Sequence, residues 1–132
     1  MGDAAEGRGG ARRRRRRLSR SGDFDRVYRE GRSHANRYLV VYSFPTSDAD
    51  GPRLGISVGR KVGGAVTRNQ VKRLLRDAFW ACADELPEGH DFVVVARRDL
   101  ADVAGERGER GVEEELRSVL ASAGITGGEA AA

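Results

Sequence analysis

The residues from which proteins most often build an active site are scarce in this 132-residue sequence. Cys82 is the only cysteine, so no internal disulfide can form and no thiolate-rich zinc site exists, which fits a reducing compartment. His34 and His90 are the only histidines, and both fall in predicted loops. There is no HExxH and no recognisable metal-ligand spacing. Nothing here pairs a nucleophile with a base, so no autonomous catalytic residue and no metal ligand is expected. No apolar run approaches the ~18–20 residues that span a membrane. The N-terminus lacks the apolar stretch of a secretory signal, so a soluble cytoplasmic protein is expected. The length suits one domain of ~100–150 residues with tails.

Positive charge is what the sequence has in abundance, and it is unevenly placed. The formal net charge of +4 hides the division. Residues 53–76 hold seven cations (Arg53, Arg60, Lys61, Arg68, Lys72, Arg73, Arg76) and no carboxylate, whereas residues 77–132 carry thirteen acids against five arginines. Such segregation produces a strong local field despite a small total. A second basic block lies at the start, where Arg12 to Arg17 is an unbroken run. Like charges in a row repel and build no core, so residues 1–17 are expected to be a disordered arm. Arginine pairs bidentately with phosphate, which suits such an arm to settling on a nucleic-acid backbone.

Between the arm and a frayed tail at residues 125–132, the chain reads as one folded unit over residues 18–124. Phe24, Val27 and Tyr28 at i, i+3 and i+4 predict a short helix over roughly Gly22 to Glu30, closed by Gly31. Arg37 to Phe44 and Arg53 to Val58 alternate as strands, and their short polar connection suggests an antiparallel hairpin. Gly55 and Ser57 would leave one face of the second strand open to a ligand. The run FVVVA within Asp91 to Ala96 suits a central strand buried on both faces. Leu100 to Arg110 reads as a Gly- and charge-rich loop. Val112, Leu116, Val119, Leu120 and Ala123 then predict a last helix, with Glu113, Glu114 and Glu115 in its first turn. The order helix, two strands, long helix, strand, helix gives an α+β sandwich.

The long helix, about Val66 to Asp84, carries the strongest signal. At ~100° per residue, Arg68, Lys72, Arg76, Asn69, Trp80 and Arg73 fall in that order within an arc of ~140°. Val71, Leu74, Leu75, Ala78 and Cys82 occupy ~240° to ~340°, with Phe79 close by at ~20°. Cys82 is therefore expected to be an inert core thiol, and Thr67 to cap a turn near the helix start. A merely solvated face would mix signs to gain i,i+4 pairs. Here Arg68, Lys72 and Arg76 stack like charges at four-residue spacing, and that repulsion is reasonable only if a polyanion neutralises it. The preceding turn, Val58 to Ala65, lacks GxxxxGK[ST] and is weak as a nucleotide loop. It suits backbone N–H groups, with Arg60 and Lys61, to a nucleic-acid phosphate, and a tight turn that needs glycines is equally compatible. Composition alone places Phe24 and Tyr28 in the core.

The stretch GISVGRKVGGAVTRNQVKRLLRDAF closely resembles the signature region of the bacterial ribonuclease P protein component, whose hallmark is an RNxxKRxxR helix. The likeness extends upstream through SGDFDRVYREGRSHANRYLVVY and downstream through DFVVVARR, and covers about residues 18–120. Gln70 stands where the family often has a third arginine, and the segment Gly105 to Gly111 reads as an extended loop.

This resemblance implies a small ribosomal-protein-like domain: a two-layer sandwich of a mostly antiparallel sheet and three helices, with an uncommon left-handed βαβ crossover. It implies that catalysis lies in a partner RNA, which uses Mg2+ to cleave the 5′ leader from precursor tRNA. The protein would bind that RNA and the leader, raising substrate affinity and broadening substrate range. Carried over by position, Arg68, Asn69, Lys72, Arg73 and Arg76 would face the catalytic RNA, with Arg60 and Lys61 in the basic turn beside it. Phe24, Tyr28, Tyr42, Arg53 and Ser57 would line the leader cleft, which moves the two helix aromatics out of the core. The alternative is a ribosomal or general RNA-binding protein without a processing role. A self-sufficient nuclease would cleave alone, and none is expected.

Overall fold

The strand with apolar residues on both of its faces takes the centre of the sheet. The computed structural model describes residues 16–18, 21–46 and 52–125. In chain order the elements are β1 (Arg16–Arg17), α1 (Ser21–Glu30), β2 (Arg32–Ala35), β3 (Leu39–Pro45), β4 (Arg53–Val58), α2 (Ala65–Ala81), β5 (His90–Ala96) and α3 (Leu100–Ser122). Single 3-10 turns at Arg60–Val62 and Ala83–Glu85 flank α2. Most of the Arg-rich arm (residues 1–15), the turn at 47–51 and the tail at 126–132 lie outside the described residues.

The strand order is β1-β4-β5-β3-β2. β4 pairs in parallel with both β1 and β5, while β5–β3 and β3–β2 are antiparallel, so the sheet is mixed. The α+β class with three helices is what forms, and the βαβ crossover is β4–α2–β5. The expected hairpin between Arg37–Phe44 and Arg53–Val58 does not form, because β5 lies between β3 and β4. Phe92 and Val94 need cover on one side of the sheet and Val93 on the other, and only an interior strand receives both. The connection from Pro45 to Arg53 crosses two strand gaps, about 10 Å, which its seven intervening residues span easily.

Two cores result. On one face α2 and α3 cover Leu39, Val41, Leu54, Phe92 and Val94. On the other, α1 adds a partial third layer to the expected two, with Val27 packed near Leu18 and Val93 and with Phe24, Tyr42 and Val95 half-buried around them.

Several local expectations are corrected. Arg16–Arg17, assigned to the arm, form a strand against Arg53 and Leu54, and the Leu18 N–H extends it by donating to the Leu54 carbonyl at 2.9 Å. His34 and His90 lie in strands β2 and β5 and not in loops. The N-cap of α2 is Gly64, without a side-chain capping bond, and Thr67 sits inside the helix. The supposed loop Leu100 to Arg110 is helical, because Leu100, Val103 and Ala104 extend the buried stripe of the last helix. Its single break is Gly108 (φ 61°, ψ −150°), so the expected Gly105–Gly111 loop is a kinked helix. Arg107 bridges the break, donating to Glu114 and Glu115 at 2.8 Å. Those acids, expected in a first turn, therefore sit in mid-helix.

Candidate nucleic-acid interface

Helix α2 separates its two sides as its sequence dictates. Val71, Leu74, Leu75, Ala78 and Phe79 are buried, and Lys72, Arg73, Arg76, Asn69 and Gln70 are exposed, with Arg68 half-buried. Cys82 is fully buried, and burial raises its thiol pKa to about 11, the Arg117 charge opposing the shift weakly. A thiolate nucleophile is thereby excluded at neutral pH.

The cations divide by partner. Arg37 pairs with Asp99 at 2.9 Å, Arg117 with Glu85 and Glu113 at 2.8 Å, and Arg29 with Glu30 at 3.7 Å. Arg53 holds Asp91 at 2.6 Å. Among the described residues, no carboxylate lies within ion-pairing distance of Arg60, Lys61, Arg68, Lys72, Arg73 or Arg76. This is so although Asp77 stands on the same helix. The Arg68 Nε is buried and has no hydrogen-bond partner. Leaving such a donor unsatisfied costs about 1–3 kcal/mol, which an incoming acceptor can remove.

On the other face of the sheet, α1 lays its aromatic side chains against β3 and β4. Gly55 provides the room: a Cβ there would lie 2.5 Å from the Phe24 ring, so only glycine lets that ring rest on β4. Tyr28, 38% exposed, contacts Tyr42 edge-on at 4.9 Å between centroids, and Phe24 at 6.3 Å. The Tyr28 phenol shares a hydrogen bond with Ser57; burial raises its pKa, and the Ser57 bond opposes that rise. Phe24, Tyr28, Tyr42 and Ser57 are thus gathered on one face. Arg53 opens the same strand, but its guanidinium is turned to Asp91 through two hydrogen bonds.

Arg60 and Lys61 lie in the 3-10 turn that follows β4. With Ser57, Val95, Arg97 and Arg98 they border an open depression where β4 and β5 end together. Arg97 and Arg98 were not among the site residues expected from the sequence. Their approach to Arg60 and Lys61 follows from the parallel register Ser57↔Val95 and Val58↔Ala96. Trp80 was also missed: it lies on the cationic arc of α2 yet is only 6% exposed, beside a pocket that Arg16, Arg17 and Leu18 help to form.

The sequence profile described as Ribonuclease P matches residues 13–123. A ribonuclease P protein component of Bacillus cereus (strain B4264) is 39% identical over 90 residues, 68% of this chain and 78% of the Bacillus protein. The solved RNase P protein of Staphylococcus aureus superimposes with a TM-score of 0.74 at 35% identity, covering 84% of this chain and 97% of that one. That of Thermotoga maritima gives 0.72 at 36% identity, covering 80% and 96%. This chain belongs to the ribonuclease P protein family.

Proposed function

We propose that this chain is the protein subunit of a cytoplasmic ribonuclease P ribonucleoprotein that removes the 5′ leader from precursor tRNA. It binds the catalytic RNA through Arg68, Asn69, Lys72, Arg73 and Arg76 of α2, with Arg60 and Lys61 alongside. The cleft bordered by Phe24, Tyr28, Tyr42 and Ser57 receives the single-stranded leader. Arg53 shapes that cleft by holding Asp91. The observation that carries the reading is the set of six cations with no carboxylate partner among the described residues, while Arg26, Arg29, Arg37, Arg53, Arg107 and Arg117 each hold one.

Bond cleavage belongs to the partner RNA, and Mg2+ is bound mainly there. The protein's own residues do not suit a divalent cation: among the described residues no three His, Cys, Asp or Glu side chains gather to hold a metal ion, and Asp91 is fully buried and held by Arg53. What the chain supplies is affinity. Exposed aromatic rings accept a base of any identity at about 1–3 kcal/mol each, which suits an enzyme that meets many leader sequences. The basic turn and α2 lower the repulsion between leader and catalytic RNA as they approach. The test is to add the purified chain to its catalytic RNA at limiting Mg2+ and follow precursor-tRNA cleavage. Stimulation is expected; none would leave only a general RNA binder, and cleavage by the protein alone would contradict an RNA catalyst.

A further inference from the structure

A pocket of about 370 Å3 opens between the β1–β4 edge of the sheet and the flank of α2. Its apolar lining is Leu18, Leu54, Ile56, Phe24 and Trp80, drawn from four different segments. Arg17, Lys72 and Arg76, all exposed, also line it. This composition is selective. A free inorganic anion would make no use of the aromatic and aliphatic walls, and an uncharged apolar ligand would leave the cations unused. The volume lies near the lower end of the range of about 300–1,000 Å3 for small-ligand sites. A paired, stacked helix presents no free base to such a pocket, whereas an unstacked nucleotide presents a flat ring and a flanking phosphate together.

The placement of Trp80 supports this reading. On the wheel of α2 it falls between Arg76 and Arg73, yet its indole is buried edge-on against Phe79 at 5.0 Å and still lines the pocket beside Lys72 and Arg76. β1 pairs with β4 beside it, and Leu18 continues that pairing through its N–H to the Leu54 carbonyl. Phe24 belongs both to this pocket and to the aromatic cleft, so RNA leaving the cleft past Phe24 meets the pocket next.

We propose that this pocket takes one unstacked nucleotide of single-stranded RNA, its base against Phe24, Ile56 and Trp80 and its phosphate on Lys72 and Arg76. The proposal rests on the reading of the chain as an RNA-binding subunit, and the nucleotide could come from the leader or from the catalytic RNA. Because Trp80 is the only tryptophan, its emission reports on the pocket in the unaltered full-length chain. A uridine pentanucleotide and an abasic backbone of equal length and charge are the probes, with binding of each measured separately by displacement of a labelled RNA. Saturable change of Trp80 emission with the base-bearing oligomer alone, and affinity about five- to a hundred-fold above that of the abasic one, is the expected result. Equal effects from two bound oligomers would overturn the pocket while leaving RNA binding intact; failure of both to bind would overturn RNA binding itself. In the reconstituted complex, 4-thiouridine is placed in the leader in one arm and in unpaired positions of the catalytic RNA in the other. A crosslink to the Phe24–Trp80 pocket identifies the source, and absence of a crosslink from both arms would overturn the proposal.

Discussion

The Arg53 guanidinium grips the Asp91 carboxylate with two hydrogen bonds, Nε to Oδ1 at 3.0 Å and Nη2 to Oδ2 at 2.6 Å. Asp91 is fully buried, and Arg26 approaches it from α1 at 3.9 Å. One carboxylate on the central strand thus fixes the neighbouring strand and draws α1 toward the sheet. It also removes Arg53 from the charge offered to a partner, leaving six of the seven cations between residues 53 and 76.

Asp91→Ala should therefore destabilise the fold by about 1–3 kcal/mol, because it removes two charge-assisted hydrogen bonds and leaves behind an Arg53 that is 21% exposed to solvent. Denaturant unfolding measures this. A loss below about 1 kcal/mol would mean that solvent replaces the carboxylate and that α1 is held by its apolar contacts alone.

Gly55→Ala tests the aromatic cleft without removing a ring. The added methyl would sit 2.5 Å from Phe24, closer than van der Waals contact allows, so the ring must leave β4. Affinity for leader-bearing precursor should fall several-fold while affinity for mature tRNA stays the same, as measured by equilibrium binding to the assembled complex. Phe24→Ala with Tyr28→Ala should show the same asymmetry more strongly. Equal losses on both substrates would return these rings to a structural role.

Two glycines of α3 should respond in opposite directions. Gly105 is exposed in regular helix with open space around its Cα, so Gly105→Ala should raise stability by up to ~1 kcal/mol. Gly108 holds φ 61° and ψ −150°, a region almost closed to other residues, and Gly108→Ala should cost about 1–3 kcal/mol. Thermal unfolding of the pair tests whether the Gly-rich segment is a kinked helix. Two small shifts of the same sign would favour the loop expected from composition.

What the sequence disclosed and concealed divides by the range of the interactions involved. The amphipathic division of α2 is local, set by residues three and four apart, and could be read directly; so could the two-sided burial of β5. The arrangement of strands could not. A polar connection after Pro45 is compatible with a hairpin or with a jump over β5, and only the competing demand of Phe92, Val93 and Val94 for cover on both faces decides. Arg97 and Arg98 joined the basic end only because β4 and β5 run parallel. Gly105, Gly108 and Gly111 masked the helical stripe begun by Leu100 and Val103, since glycine signals a loop whether or not packing overrides it. Arg16–Arg17 looked like part of a repelling run, and the backbone pairing with Arg53 and Leu54 that orders them has no signature in side-chain type. Trp80 stood among the cations on the wheel of α2, and nothing local revealed the pocket that Leu18 and the β1–β4 edge form beside it.

Arg68→Ala or Arg73→Ala should each weaken RNA affinity and flatten the dependence of log K on log salt by up to about one unit per lost phosphate contact. Both side chains lack an ion-pair partner among the described residues, so neither substitution should disturb the fold. An unchanged slope would place the phosphate contacts elsewhere.

The most direct measurement is the dissociation constant for the catalytic RNA, beside that for random RNA of equal length, of the native chain and of Arg68→Glu/Lys72→Glu/Arg76→Glu at constant salt. Circular dichroism first confirms that the fold is kept. The native chain should prefer the catalytic RNA, and the charge-reversed helix should abolish that preference. A triple variant that still binds the catalytic RNA as tightly and as selectively as the native chain would contradict the assignment of α2 as the RNA-binding face.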